Sequence, residues 1–215
     1  MGRRGLTTQT VTPGDWWELN CVQKVVVGVD EVGRGALFGP VVAAAVILPA
    51  SARSVLIASG INDSKKLSAT SRMRLRDQIC QLAIDWRIGF AATAEIDQLN
   101  ILQATLLAMK RAVHKLHVVP ELCLVDGNQP IPDLTLPQQT MVKGDSLSLH
   151  IAAASIVAKV WRDDLITRLA VKYPVYDLAQ NKGYGSKKHL VALQQYGPSP
   201  LHRRSFRGCG GGSLV

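Results

Sequence analysis

A chain of 215 residues that is 47% hydrophobic can bury one sizeable core and is too short to force a division into several domains. Its 25 Lys and Arg against 16 Asp and Glu give a net charge of +9, which favours an anionic partner such as nucleic acid. Cys21, Cys80, Cys123 and Cys209 show no C-x-x-C spacing, which argues against a disulfide framework or a zinc site. No apolar run reaches the length of a membrane span, and Arg3 and Arg4 are not followed by the apolar core of an export signal. A cytoplasmic protein with no membrane role is the expectation, and a monomer is the default state.

In chain order, residues 1–23 form a polar arm that carries Trp16 and Trp17. Two β-branched runs follow, at residues 25–30 and 41–48, joined by a glycine-rich turn. A helix is expected from the cap-competent Ser68, with Met73, Leu75, Ile79 and Leu82 on its buried face. Residues 86–94 alternate Trp86, Ile88 and Phe90 on one face of a third strand, and three strands in quick succession suggest an antiparallel meander. A longer helix is expected from Glu95, with Ile96, Leu99, Leu106, Met109, Val113 and Leu116 facing the core. Residues 122–125 form a short apolar strand that ends at Asp126, and a crossover through the Glu95 helix makes it parallel to a neighbour. Residues 140–142 are a further strand, and a long helical stretch follows Asp145. The expected order is β-β-β-α-β-β-α, with helices on a mixed sheet.

The end of the chain is basic. No acidic residue follows Asp177, while Lys182, Lys187, Lys188, Arg203, Arg204 and Arg207 all lie beyond it. That distribution fits phosphate contacts or a solvated basic face. The final GCGGGSLV reads as a flexible tail, so the expected division is an arm at 1–23, one catalytic domain at 24–207 and a tail at 208–215.

The chemistry concentrates in GVDEVGRG, where Asp30 and Glu31 close an apolar strand and Gly33, Arg34 and Gly35 follow at once. Acidic residues at strand ends often do no more than face solvent. Here Asp126 also stands where a strand meets a glycine turn, and Asp145 follows Lys143 and Gly144 at a helix start, where it also suits a helix cap. If the strands are neighbours, the four carboxylates converge, and each pair about 4 Å apart repels by about 4 kcal/mol in a medium of intermediate dielectric. A cation must offset that. Oxygen ligands without His or Cys select Mg²⁺ or Mn²⁺, and two such ions can clamp the attacking water and the leaving oxygen of a phosphodiester. Adjacent strand residues point to opposite faces, so Asp30 and Glu31 reach one site only if the strand ends or bends there. Asp163 and Asp164, inside the long helix, suit ion pairs better than metal.

GRG lacks the third glycine and the following helix of a dinucleotide fingerprint. Its glycines let backbone groups approach a ligand closely, and such groups can read a ribose 2′-OH. A plain tight turn is the bland alternative.

GVDEVGRGALFGPVVAAAVIL, NDSKKLS, LVDGN, VKGDS, AAASIVAKVWRD, NKGYGSKKH and HRRSF occur in one order across most of residues 25–207. Together they resemble bacterial ribonuclease HII. That resemblance implies an α/β protein with a ribonuclease H-like fold, a mixed five-stranded sheet flanked by helices, and a helical C-terminal extension. It implies an endonuclease acting on RNA–DNA hybrids and on ribonucleotide-containing duplex DNA, with Mn²⁺ or Mg²⁺ held by Asp30, Glu31, Asp126 and Asp145. Gly33, Arg34 and Gly35 match the turn that recognises the ribonucleotide, and Tyr184 matches the residue that stacks on the sugar beyond the RNA–DNA junction. Lys65, Lys66, Lys182, Arg203 and Arg204 are then phosphate contacts, which position the strand without reading it. Gly185 and Ser186 depart from the Pro and Thr of many members, which touches only the local shape behind Tyr184. The related ribonuclease HIII carries an extra N-terminal domain for which the short arm leaves no space.

Three rivals remain. A junction resolvase uses the same carboxylate chemistry but has less reason for GRG and KGY. A metal-independent ribonuclease needs paired histidines, for which His114 and His117, sharing one helix face, are the candidates. A hybrid-binding protein without turnover needs the basic residues but not the carboxylates.

Overall fold

A computed structural model describes residues 24–61 and 67–209. The N-terminal arm with Trp16 and Trp17, the pair Lys65 and Lys66, and the last six residues lie outside the described residues.

Strand β1 (Val26–Val32) runs antiparallel to β2 (Val41–Ile47). Helices α1 (Ala52–Ala58) and α2 (Ala69–Leu82) stand between β2 and β3 (Asp85–Ala91), which returns antiparallel to β2. The first three strands are therefore the expected meander, although two helices, where one was expected from Ser68, separate the second from the third. Helices α3 (Thr93–Leu99) and α4 (Ile101–His114) cross to β4 (Leu122–Asp126), which lies parallel to β1, and β5 (Gln138–Met141) is parallel to β4. The sheet order is β3-β2-β1-β4-β5. Helix α5 (Leu149–Ala170), the short α6 (Leu178–Asn181) and α7 (Lys187–Tyr196) complete the chain.

Every residue of β2 is buried, because both faces of the sheet are covered. Ala44 and Val46 pack toward α1, α2 and α5, while Val41, Ala43, Ala45 and Ile47 pack toward α4. A strand enclosed on both sides reads as a continuous apolar run, which is what residues 41–48 show. The first half of α5 is likewise buried all round, from Leu149 to Ala154 without interruption. Gly28 makes that approach possible: a Cβ there would lie 2.2 Å from the backbone carbon of His150, so only glycine lets β1 seat against α5.

Several expectations need correction. The single helix expected from Glu95 is two, because Asn100 takes φ +73° and its side-chain oxygen accepts the Gln103 N–H at 3.1 Å, opening a new helix. Leu99, at the end of the first, is 38% exposed instead of core. Ser68 does cap α2, accepting from the Ser71 N–H, but Met73 is half exposed. Cys209, which falls in the expected tail, is buried against Leu37 and its N–H donates to Phe206. That contact belongs to a separate cluster in which Leu37 and Phe38, from the loop after β1, pack with Ile166, Tyr176, Leu178 and Leu193. Among the described residues no helix is long and apolar enough to cross a membrane.

Candidate active site

The alternation of β1 decides where its carboxylates begin. Gly28 and Asp30 face α5, whereas Val27 and Val29 pack toward α4. The β1–β4 ladder ends at Val29 opposite Val125, yet β1 stays paired with β2 through Val32. The end of β1 thus has an open edge on the β4 side, just where Asp126 closes β4. There oxygens of Asp30, Glu31 and Asp126 lie within 4.8 Å of one another. The strand does not end at Glu31, since its pairing with β2 runs on to Val32, yet the Glu31 carboxylate lies with Asp30 and Asp126 where the β1–β4 ladder has already stopped.

Each carboxylate is held. Asp30 is buried, accepts the Glu31 N–H at 2.6 Å and takes a hydrogen bond from the Ser155 hydroxyl of α5. Asp126 accepts the Gly144 N–H at 2.7 Å. Glu31 accepts from Arg34 at 3.2 Å, a side chain that is itself half exposed. Burial, then the neighbouring charges of Glu31 and Asp126, push Asp30 well above the usual carboxylate range. Burial also raises Glu31, against the pull of Arg34. Three hard oxygen donors gathered this closely suit a divalent cation, whose charge would favour the ionised forms of Asp30 and Glu31.

Asp145 stands outside this cluster. It lies in a single 3-10 turn, Gly144–Ser146, immediately after the Gly144 that binds Asp126. It is not the cap of the long helix, which starts at Leu149 after Ser148. Asp163 and Asp164 form i,i+4 ion pairs with Lys159 and Arg168, as expected of surface positions.

The loop after β1 is the second part of the site. Gly33 has φ +89°, and a Cβ there would fall 2.2 Å from Arg162 Nε, while a Cβ at Gly35 would meet open space. Leu37 and Phe38 both donate their N–H groups to the Gly183 carbonyl, at 2.8 and 3.2 Å, so the GRG loop and the turn bearing Tyr184 are one hydrogen-bonded unit. The Tyr184 ring is 36% exposed and lies 5.5 Å from the Arg162 guanidinium and 5.9 Å from Lys159 Nζ.

Two arginines hold this unit from beneath, and nothing in their local pattern marks them as buried. Arg162 is fully buried and donates to the carbonyls of Pro40, Lys182 and Phe38 at 3.1, 2.9 and 3.0 Å. Arg203, expected to meet phosphate, is also fully buried and donates to the carbonyls of Gly39 and Arg34 at 3.0 and 2.8 Å. Burial, with Arg162 nearby, lowers its pKa to about 9. Arg204 does face solvent, and its backbone N–H is anchored on Asp97 at 3.0 Å. Lys182 Nζ donates to Thr167 Oγ1 at 2.8 Å.

His114 ends α4 and His117 lies beyond it, so they share no helix face. His117 donates its N–H to Asp85 and touches Arg87. Neither histidine belongs to the acidic rim, and an acid–base pair for metal-free cleavage finds no support there.

A mixed five-stranded sheet with carboxylates gathered at the ends of β1 and β4 defines a ribonuclease H-like protein. The family model for ribonuclease HII matches residues 27–209. A ribonuclease HII from a Nostoc species is 69% identical over 195 residues, covering 91% of this chain and 85% of that protein. Among solved structures, ribonuclease H2 from Pyrococcus horikoshii is similar with a TM-score of 0.71 at 27% identity, covering 86% of this chain and 94% of that one. A Bst-RNase HIII in complex with Mn²⁺ gives a TM-score of 0.71 at 18% identity over 92% of this chain and 72% of that one, a likeness of fold alone. The chain belongs to the ribonuclease HII family and is an endoribonuclease H, a hydrolase.

Proposed function

We propose that the protein cuts the RNA strand of RNA–DNA hybrids and also cuts on the 5′ side of single ribonucleotides embedded in duplex DNA, leaving 5′-phosphate and 3′-hydroxyl ends. The observation that carries this reading is the convergence of Asp30, Glu31 and Asp126 beside a loop hydrogen-bonded to the Tyr184 turn. In this reading those three carboxylates, joined by Asp145, hold Mn²⁺ or Mg²⁺. A divalent pair bound there supplies an activated water and offsets charge on the phosphodiester.

The chain's own residues do the rest. Backbone groups at Gly33 and Gly35 meet the 2′-OH of the ribose, and Arg34 stands at the same turn, tied to Glu31. Tyr184 stacks on the deoxyribose beyond the junction. Lys182, Arg204 and the pair Lys65 and Lys66 contact phosphates. Arg203 is left out of that set, since a guanidinium with no exposed surface cannot meet a phosphate without rearrangement. Cys80, Cys123 and Cys209 are free thiols, which fits a reducing cytoplasm where primer removal and ribonucleotide excision would take place. A monomer suffices, because every group in the reading comes from one chain.

The test is cleavage of three end-labelled duplexes: all-DNA, one ribonucleotide in DNA, and a continuous RNA strand on DNA. The reading expects no cut in the first, a single cut 5′ to the ribonucleotide in the second, and cleavage throughout the third. Cleavage of the all-DNA duplex, or a 2′,3′-cyclic phosphate product, would overturn it.

A further inference from the structure

Beneath Tyr184 lies a pair of buried histidines that the chemistry above does not use. His189, on α7, is fully buried and His202 is 1% exposed, and their Nε2 atoms are 2.9 Å apart. His189 Nδ1 lies 2.9 Å from the Tyr184 carbonyl oxygen, and the Ser199 N–H donates to His202 Nδ1 at 2.9 Å. The Ser199 hydroxyl is 2.8 Å from the same nitrogen.

This chain of contacts has one consistent assignment of protons. A backbone N–H can only donate, so His202 Nδ1 accepts and its proton sits on Nε2. That Nε2–H donates to His189 Nε2, which leaves the His189 proton on Nδ1, where it donates to the Tyr184 carbonyl. An additional proton would set two N–H groups against each other, either between the histidines or at Ser199. His202 also pairs with Phe38 through an isolated β-bridge, and its ring meets that of Phe38 at 5.0 Å. The same two imidazoles thus join the Tyr184 turn, the loop after β1 and the C-terminal segment.

We propose that His189 and His202 are positioning residues, a neutral, singly oriented pair that fixes the Tyr184 backbone and so sets how well the enzyme uses a lone ribonucleotide junction. The proposal rests on the reading that Tyr184 meets the substrate. The groups that face the pair are Tyr176, whose ring lies 4.6 Å from His202 and 5.9 Å from His189, and Asp177, whose charge acts on His189. Asp177 is shared with Lys188 at 3.9 Å, and Arg203 turns its guanidinium to the loop carbonyls. Burial lowers both imidazoles, His202 to about 4 with the help of His189. The neutral arrangement is therefore complete above the ordinary histidine value of 6.5 and gives way as pH falls toward about 4.

The experiment measures cleavage of the single-ribonucleotide duplex relative to a continuous RNA–DNA hybrid, in wild type, Tyr184→Ala, His202→Phe and the double variant His189→Gln/His202→Gln. Titration of the rim carboxylates affects both duplexes alike and cancels in the ratio. The expected result is a ratio lowered about fivefold to tenfold in His202→Phe, the size of one lost hydrogen bond at the turn. In wild type the ratio should fall on acidification below about pH 6, and in the double-Gln variant it should be independent of pH. Nitrogen-15 spectra of wild type should show His189 protonated on Nδ1 alone and His202 on Nε2 alone at neutral pH, which decides the matter even if a variant fails to fold. If Tyr184→Ala lowers the ratio and His202→Phe does not, or if His202→Phe lowers both cleavages equally, the positioning role is overturned while Tyr184 keeps its own. If Tyr184→Ala leaves the ratio unchanged, the reading of Tyr184 fails and the proposal falls with it. A charged pair or the opposite tautomers at neutral pH would also overturn it.

Discussion

The carboxylates at the sheet rim and the loop that faces them are stabilised by different means. Asp30 and Glu31 sit in a continuous ladder with Ala44 and Ala43, enclosed by a sheet whose two faces are packed with aliphatic side chains. The loop at residues 33–39 has only the isolated Phe38–His202 bridge; its carbonyls at Arg34, Phe38 and Gly39 are taken up by the buried guanidinium groups of Arg162 and Arg203, and the N–H groups of Leu37 and Phe38 by Gly183. Aliphatic packing fixes the position of the acidic rim. Directional hydrogen bonds fix the backbone shape of the loop.

Substitutions at the rim should remove chemistry without loosening the fold. Asp126→Asn should lower cleavage by roughly a thousandfold or more, the loss expected when charge stabilisation of several kcal/mol disappears. Asp30→Asn should do the same and yet raise the melting temperature in chelator, because the folded protein holds that carboxylate at a raised pKa and its charge costs stability at neutral pH. A lower melting temperature for Asp30→Asn in chelator would contradict the electrostatic account of the rim.

Substitutions under the loop should do the opposite. Arg162→Met leaves three carbonyls without their donor and should cost roughly 2–4 kcal/mol in urea denaturation, while the acidic rim keeps its cation affinity. Gly33→Ala places a methyl group against Arg162 at positive φ and should show a similar, smaller loss. If either variant lost cation binding as completely as Asp126→Asn, the two regions would not be separable.

Smaller effects test recognition alone. Tyr184→Ala should reduce cleavage at a single ribonucleotide by about tenfold to a hundredfold, taking aromatic stacking as an upper guide. Arg204→Ala should weaken binding only a few-fold and lower the slope of log affinity against log salt by about one, the signature of a single phosphate contact. Arg203→Ala should instead lose stability, and an unchanged melting temperature with a reduced salt slope would return Arg203 to the phosphate contacts.

The contrast also explains what could be read from sequence. The strand end marked by Asp126, the capped start at Ser68 and the three-strand meander all follow from local pattern, and each is present, whereas β1 runs on past Asp30 to Val32. Asn100 interrupts a helical periodicity that continues on both sides of it, so spacing alone joined two helices into one. Arg162 and Arg203 look like any other surface cations; their burial depends on carbonyls of residues 34–40, more than a hundred positions away. Ser155 lies in AAASIVAKVWRD, yet its partner Asp30 becomes visible only when α5 crosses β1. Glu31 reaches the cluster because the β1–β4 ladder stops at Val125, a register no alternation rule supplies.

The central claim, that the ends of β1 and β4 form a divalent-cation site on which hydrolysis depends, is tested most directly by calorimetric titration of Mn²⁺ into wild type and Asp126→Asn, with cleavage followed in the same samples. The account predicts saturable binding in wild type that tracks the appearance of product, and the loss of both in the folded variant. Unchanged Mn²⁺ binding in Asp126→Asn, or full wild-type cleavage in chelator, would contradict it.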